Sequence, residues 1–329
     1  MRKVLCVIFA AAMALTSCKN TKALLPNVSG KAGEIIVVID KGDWEGNLGT
    51  KVRELLACDC PYLAQKEPLY TLVNVPPGSF GDLFKVHRNI VYFNLGSQAD
   101  SGILYRRDVW AAPQCLVQVN ARDAESAAEI FDADGKTIVS FIEQAERDRV
   151  IRNSIRYEER EIAPKVAEVF GGSPHFPMGY KLKKLTEDFA WIADEKQFTM
   201  QGIFVYKYPA KQDAGELTVE RIVAKRNEVL KDNVPGMFEN TWMTTGSYML
   251  PQIEFLRFRG REFAQVRGLW EVENDYMGGP FVSQSFYSPD GSEVIVAEAF
   301  VYAPKYDKRQ YLRQVESIIY SWEWNGSAE

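Results

Sequence analysis

Residues 252–302, QIEFLRFRGREFAQVRGLWEVENDYMGGPFVSQSFYSPDGSEVIVAEAFVY, decide the fold class. Aromatic and β-branched side chains fill four runs: Gln252 to Arg259, Arg261 to Glu271, Phe281 to Tyr287 and Glu293 to Tyr302. That is the composition of strands packed on a core. Gly260 and Pro289-Asp290-Gly291 fall between runs and supply hairpin turns. Upstream, Tyr180 to Leu185, Phe189 to Ala193 and Gly202 to Tyr208 read as three more strands, and Leu217 to Lys231 as a helix. Downstream, Tyr306 to Tyr320 closes the fold as a helix, with Tyr311, Leu312, Val315, Ile318 and Ile319 inward. Strands grouped together with few helices indicate an α+β protein with an antiparallel sheet, not a doubly wound parallel one.

The first half reads differently. Gly33 to Asp40, Pro68 to Val75, Asn89 to Leu95 and Cys115 to Asn120 are strands. Trp44 to Ala57 has helical spacing, Ser79 offers an N-cap for a short helix, and Gly96 to Ala112 reads as an excursion. From Asp123 to Phe170 the period is helical, with Ile138, Phe141, Ile142 and Ala145 on one stripe and Ile151, Ile155, Ile162 and Val166 extending it. Five arginines and six acids lie between Glu143 and Glu161. The pairs Glu143–Arg147 and Asp148–Arg152 stand at i,i+4, as on a solvated, self-paired helix face. Gly171-Gly172-Ser173-Pro174 ends this region. The expected organisation is an N-terminal α/β domain over residues 31–172, with a long charged helical region, joined to a C-terminal α+β domain over residues 173–329.

Ahead of both stands a leader. Met1-Arg2-Lys3 precedes a 12-residue apolar run, Val4 to Leu15. The run is short of the ~20 residues that span a bilayer, and the pattern is that of a secretory signal. Leu15-Thr16-Ser17-Cys18 resembles the lipobox of bacterial lipoproteins. The resemblance implies a signal peptide over residues 1–17, acylation of Cys18, and a tether from there to Gly30. Lys19 follows the cysteine and no acidic run comes after it, which by the sorting rules of such lipoproteins implies the outer membrane, facing the periplasm.

The chain has 329 residues and a formal net charge of -5. That balance excludes a general nucleic-acid binder, which needs a concentrated basic face. Cys58-Asp59-Cys60 lacks further ligands at a recognisable spacing, so neither a metal nor a cofactor is expected. A disulfide from Cys115 to one of the pair is open on sequence grounds.

The densest candidate site runs from Arg267 to Phe281. If the strand continues, Glu271 and Glu273 share one of its faces. Asp275 and Tyr276 then fall near its end, and Gly278-Gly279 would let backbone approach a ligand. Arg267, Trp270, Glu271, Glu273, Asp275, Tyr276, Gly278 and Gly279 are therefore the candidate binding residues. The alternative puts Trp270 in the core, the acids on a wet face and the glycines in a plain turn. His87, before a strand, reads as a loop hydrogen-bonding residue or as a general base, and His175 as a linker residue. Lys305, Lys308, Arg309 and Arg313 cluster near the last helix, either for anionic polymers and head groups or as a solvated face. No Gly-x-Ser-x-Gly, P-loop or dinucleotide fingerprint occurs.

Several blocks resemble one family. They include Glu34-Ile35-Ile36-Val37-Val38, His87-Arg88-Asn89-Ile90, Gly246-Ser247-Tyr248-Met249, Arg267-Gly268-Leu269-Trp270-Glu271 and Met277-Gly278-Gly279-Pro280-Phe281. They are similar to Bacteroidetes lipoproteins catalogued as domain of unknown function 4837. The resemblance supports the lipoprotein reading and carries over no catalytic residue or ligand. By strand order the second half also resembles the Mog1/PsbP type of α/β/α sandwich, which would imply a binding module. The function expected is a lipid-anchored, non-catalytic envelope module for an envelope component or a partner protein. The alternative is a glycan hydrolase using Glu271 and Asp275.

Overall fold

The computed structural model describes residues 24–96, 100–211, 215 and 217–326. The signal peptide expected over residues 1–17 and the acylated Cys18 lie outside them. The β-branched run at Glu34–Val38 forms β1, buried along its length except at Glu34. Helices α1 (Lys41–Glu45) and α2 (Asn47–Leu56) follow, separated by Gly46 in extended backbone, where one helix was expected. Then come β2 (Thr71–Val75), α3 (Asp82–Lys85), β3 (Asn89–Leu95), β4 (Gly102–Arg107) and β5 (Cys115–Ala121). Gly81, not Ser79, is the N-cap of α3. The sheet order is β2-β1-β3-β5-β4, parallel except for the antiparallel β4–β5 pair. The stretch expected as an excursion thus supplies an edge strand. Ile103 and Tyr105 pack on the core while Leu104 is half-exposed.

The helical stretch is α4 (Ala124–Ala133), α5 (Gly135–Arg156) and α6 (Ile162–Phe170). α2, α4 and α5 cover one face of the sheet, with Leu48, Val52, Phe131, Ile138 and Ile142 in one apolar cluster. Residues 26–29, read as the end of the tether, run along the first half. Ala112 N–H donates to Pro26 O at 2.9 Å, and Ser29 N–H to Val86 O at 2.8 Å. Cys58, Cys60 and Cys115 are free thiols, with Cys115 buried.

The second half contains β6 (Gly172–Ser173), β7 (Lys181–Leu185), β8 (Phe189–Lys196), β9 (Thr199–Pro209), α7 (Val219–Asn233) and β10 (Met243–Thr245). It continues through β11 (Gln252–Phe258), β12 (Arg261–Val272), β13 (Gly278–Tyr287), β14 (Glu293–Tyr302), α8 (Arg309–Tyr320) and β15 (Glu323–Trp324). Its eight-stranded sheet runs β10-β12-β13-β14-β9-β8-β7, with β11 also on β12, and the pairs are antiparallel. The β11–β12 hairpin turns on Arg259 and Gly260, both at positive φ, the geometry of a two-residue I′ loop. α7 covers one face of the sheet, through Ile222 and Leu230. α8 and α6 cover the other, through Val315, Ile318, Val166 and Phe170. The second half is therefore a three-layer α/β/α unit, and the whole chain is α+β.

Under α7, Arg226 and Glu298 are both fully buried and paired at 2.8 Å, with Arg226 also donating to Thr245 Oγ1.

The charges of α5 correct the expectation of a self-paired, solvated face. Glu143 accepts hydrogen bonds from Arg313 of α8 and from the Tyr70 hydroxyl. Glu146, nearly fully buried, meets Arg88, Asn89 and Arg149. The Arg147 guanidinium lies 3.8 Å from the centre of the Tyr320 ring. A helix face is solvated only where nothing covers it, and here α8 and the β3 segment do. The two halves also meet at Glu67. Its carboxylate accepts the Lys308 N–H at 2.7 Å and the Arg309 N–H at 2.9 Å, so a residue of the first half caps α8.

Candidate functional site

The candidate site is built where β12 ends. Odd-numbered residues of β12 project towards α8. Gln265 accepts from the Tyr320 hydroxyl, and Arg267 is ion-paired with Glu316. Glu271, the last of this row, lines a cleft with Lys308, the N-cap residue of α8. Trp270 projects to the opposite face, is buried, and donates from Nε1 to Val301 O at 3.2 Å.

The strand stops at Val272, and a turn reverses the chain through Asn274, whose φ of 60° is one that asparagine tolerates. Val272 N–H donates to Met277 O and Asp275 N–H to Val272 O. Two expectations are corrected here. Glu273 sits in the turn, exposed, and does not share a strand face with Glu271. Gly278 and Gly279 do not form a plain turn: they begin β13, opposite Glu271 and Trp270, and from there line the cleft. A Cβ on Gly279 would lie 2.1 Å from Val301 O, and one on Gly278 would lie 2.9 Å from Trp270 O. The packing of strand on strand is what requires glycine there.

Glu271, Asp275 and Tyr276 do come together. They line a cleft of about 380 Å³ with Gly246, Tyr248 and Lys308, and Ala64 of the first half closes one side. Trp270, Gly278 and Gly279 also contribute to its wall, whereas Arg267 and Glu273 do not. The Glu271 carboxylate has no hydrogen bond or ion pair among the described residues. Asp275 accepts the Tyr276 N–H through one oxygen at 2.6 Å, leaving the other free. Lys308 Nζ is held by Gln65 Oε1 at 2.8 Å. Tyr276 is fully exposed, and Tyr248 is 75% exposed. The cleft thus offers two carboxylates, one ammonium and two wet aromatic rings.

Tyr248 and Ala64 were not legible as site residues, and Lys308 was legible only as a member of the basic cluster, not as a neighbour of Glu271. Tyr248 stands between breakers with no periodicity around it, and Ala64 and Lys308 arrive from segments distant in sequence.

The remaining candidates are structural. His87 is buried, with Nε2 2.9 Å from Glu34 Oε1 and Nδ1 3.0 Å from Asn89 O. The His87 hydrogen bond holds the Glu34 carboxyl below its usual range, against the opposing effect of burial. His175 is more than a linker residue: it bridges Glu158 at 2.7 Å and Glu323 at 3.1 Å. The basic cluster divides: Lys308 lines the cleft, and the other three members are engaged by the protein. Arg313 pairs with Glu143, Arg309 reaches Thr71 and Pro68, and Lys305 lies over the Phe198 ring. Among the described residues no three His, Cys, Asp or Glu side chains converge as a metal site, and no helix is long and apolar enough to cross a membrane.

An α/β/α layer carrying an open cleft at one end of its sheet defines a fold unit with a candidate binding site, and sequence comparison places it. Residues 159–321 match the family described as a domain of unknown function (DUF4837), and residues 28–154 match a second such family (DUF8532). The second half of the chain belongs to the DUF4837 family. No curated protein matches the chain. Among solved structures, one from Bacteroides thetaiotaomicron VPI-5482 is similar at 11% identity over 48% of this chain, with a TM-score of 0.22. The match takes in 47% of that protein, so this chain spans about half its length. The lipid transfer and protein localization domain of human StarD13 is similar at 7% identity over 44% of this chain and 89% of its own, with a TM-score of 0.22.

Proposed function

We propose that the protein is a lipid-anchored module of a bacterial cell envelope, held by acyl chains on Cys18 at the outer membrane and facing the periplasm. In this reading its cleft binds a hydroxyl-rich envelope polymer without turning it over. The anchor rests on the leader: the basic start, the short apolar run and Leu15-Thr16-Ser17-Cys18. The observation that carries the ligand is the Glu271 carboxylate. It lines an open cleft with no protein partner, beside the exposed rings of Tyr248 and Tyr276. Carboxylates accept hydrogen bonds from sugar hydroxyls, and flat rings with one wet face stack on sugar rings.

The test is binding of soluble envelope glycan fragments to the full chain, followed by calorimetry. Glu271→Gln and Tyr276→Ala should each weaken binding about tenfold while the melting temperature holds. Binding unchanged in both variants would refute the cleft. The same pair of carboxylates also suits a glycan hydrolase using Glu271 and Asp275. New reducing ends that appear with the wild type and vanish in Glu271→Gln would replace the binding reading with that one.

A further inference from the structure

On the α7 face of the same sheet lies a second cavity, of about 270 Å³. Its floor is Trp191, Met200, Trp270 and Phe300, and the loop after α7 forms its lip through Val234 and Met237. No charged side chain lines it. Six of the chain's eight methionines lie beyond residue 24. Four of those six, Met200, Met237, Met243 and Met277, line this one cavity. Methionine is unbranched and polarizable, so a wall made of it conforms to a flexible guest. Met237 and its neighbour Phe238 are 78% and 63% exposed, which leaves the lip open to solvent.

A second observation is independent of the shape. The Trp270 N–H is satisfied by Val301 O, but the Trp191 Nε1–H is buried with no acceptor among the described residues. A buried donor without a partner is unfavourable and needs an explanation. A guest that supplies one acceptor oxygen and is otherwise apolar answers both features.

We infer that this cavity binds a linear acyl chain, whose carbonyl oxygen accepts the Trp191 Nε1–H. A cavity of ~150 Å³ accommodates benzene, so this one has room for roughly ten carbons. Trp270 and Met277 line both this cavity and the polar cleft, but the inference does not depend on the reading of that cleft.

The test uses the full chain, stripped of bound lipid, and methyl esters of linear fatty acids from hexanoate to tetradecanoate, which keep the carbonyl oxygen without a charge. Trp191 and Trp270 wall the cavity, so brominated chains should quench tryptophan fluorescence on binding. Affinity should rise about fourfold per added methylene up to roughly ten carbons and then level off. Met237→Glu charges the lip without touching the core. It should weaken methyl decanoate binding at least tenfold with an unchanged melting temperature. Trp191→Phe keeps an aromatic ring but removes the N–H, and should weaken binding about two- to tenfold. An affinity that ignores chain length would overturn the proposal, as would tighter binding of naphthalene than of methyl decanoate. Wild-type binding by Met237→Glu would overturn it as well.

Discussion

Glu67→Ala removes the cap that one half of the protein supplies to a helix of the other. Both oxygens are engaged, at 2.7 Å to Lys308 N–H and 2.9 Å to Arg309 N–H, and the Glu67 side chain is buried. α8 has no side-chain cap from its own N-cap residue, so nothing local replaces the carboxylate. Loss of a capping side chain costs ~0.5–2 kcal/mol, and loss of a negative charge at a helix start a further ~0.3–1 kcal/mol. We expect about 2 kcal/mol in total. At roughly 2–4 °C per kcal/mol for a large domain, the melting temperature should fall by about 4–8 °C. Glu67→Gln keeps one acceptor oxygen but no charge, and should lose about half as much. Calorimetry of the full chain gives the shift, and amide exchange locates it. Exchange should quicken at the first turn of α8 before it does in β12 and β13. An alanine variant that melts within 1 °C of wild type, with unchanged exchange at Arg309, would refute this account of how the halves are joined.

Other expectations follow from burial and close contact. Arg226→Met leaves the Glu298 carboxylate buried and unpaired, at a cost of ~3–5 kcal/mol, and Arg226→Met with Glu298→Leu should recover most of it in urea unfolding. Gly279→Ala should cost ~1–3 kcal/mol or more because of the Val301 carbonyl, whereas Gly78→Ala, with nothing within 4 Å, should stay within ~0.5 kcal/mol. Burial opposes ionisation of Glu143, but the Arg313 charge and the hydrogen bonds from Arg313 and Tyr70 outweigh it, so its carboxyl is held below the usual range. Its contribution is therefore complete above the unfolded value of ~4.3 and is lost as pH falls through the lower folded value. The gap in urea midpoint between wild type and Glu143→Gln should be widest near pH 7 and close towards pH 3; a gap independent of pH would contradict this.

The strands of the second half were legible because their signals are local. Glu293–Tyr302 is bounded by Pro289-Asp290-Gly291 on one side and Ala303-Pro304 on the other, and the strand fills that interval. Gly102–Arg107 was hidden because an edge strand packs on one side only, and its Arg106 and Arg107 read as loop. The charges of α5 misled for the opposite reason. Spacing along a helix identifies possible partners within that helix, and says nothing of Arg313, which is 170 residues away. The same limit applied to the site. Glu271, Asp275 and Tyr276 are close in sequence and meet around one turn, whereas Lys308 and Ala64 come from elsewhere. Glu273 failed because the i,i+2 rule holds only while the strand lasts, and β12 stops one residue earlier.

The two families divide the chain between residues 154 and 159, close to the end of α5. By sequence the halves look interchangeable, each free to be recombined with another neighbour. The Glu67 cap and the Glu143–Arg313 pair argue against that freedom. A second half grafted onto a foreign first half would bring Arg313 to a surface lacking its acid, and a helix start lacking its acceptor. Any such chimaera would need compensating acids at both places before it folded as stably as the parent. The peptide junction between the families therefore lies inside one electrostatic unit, and changes at positions 67 and 143 constrain those at 308, 309 and 313.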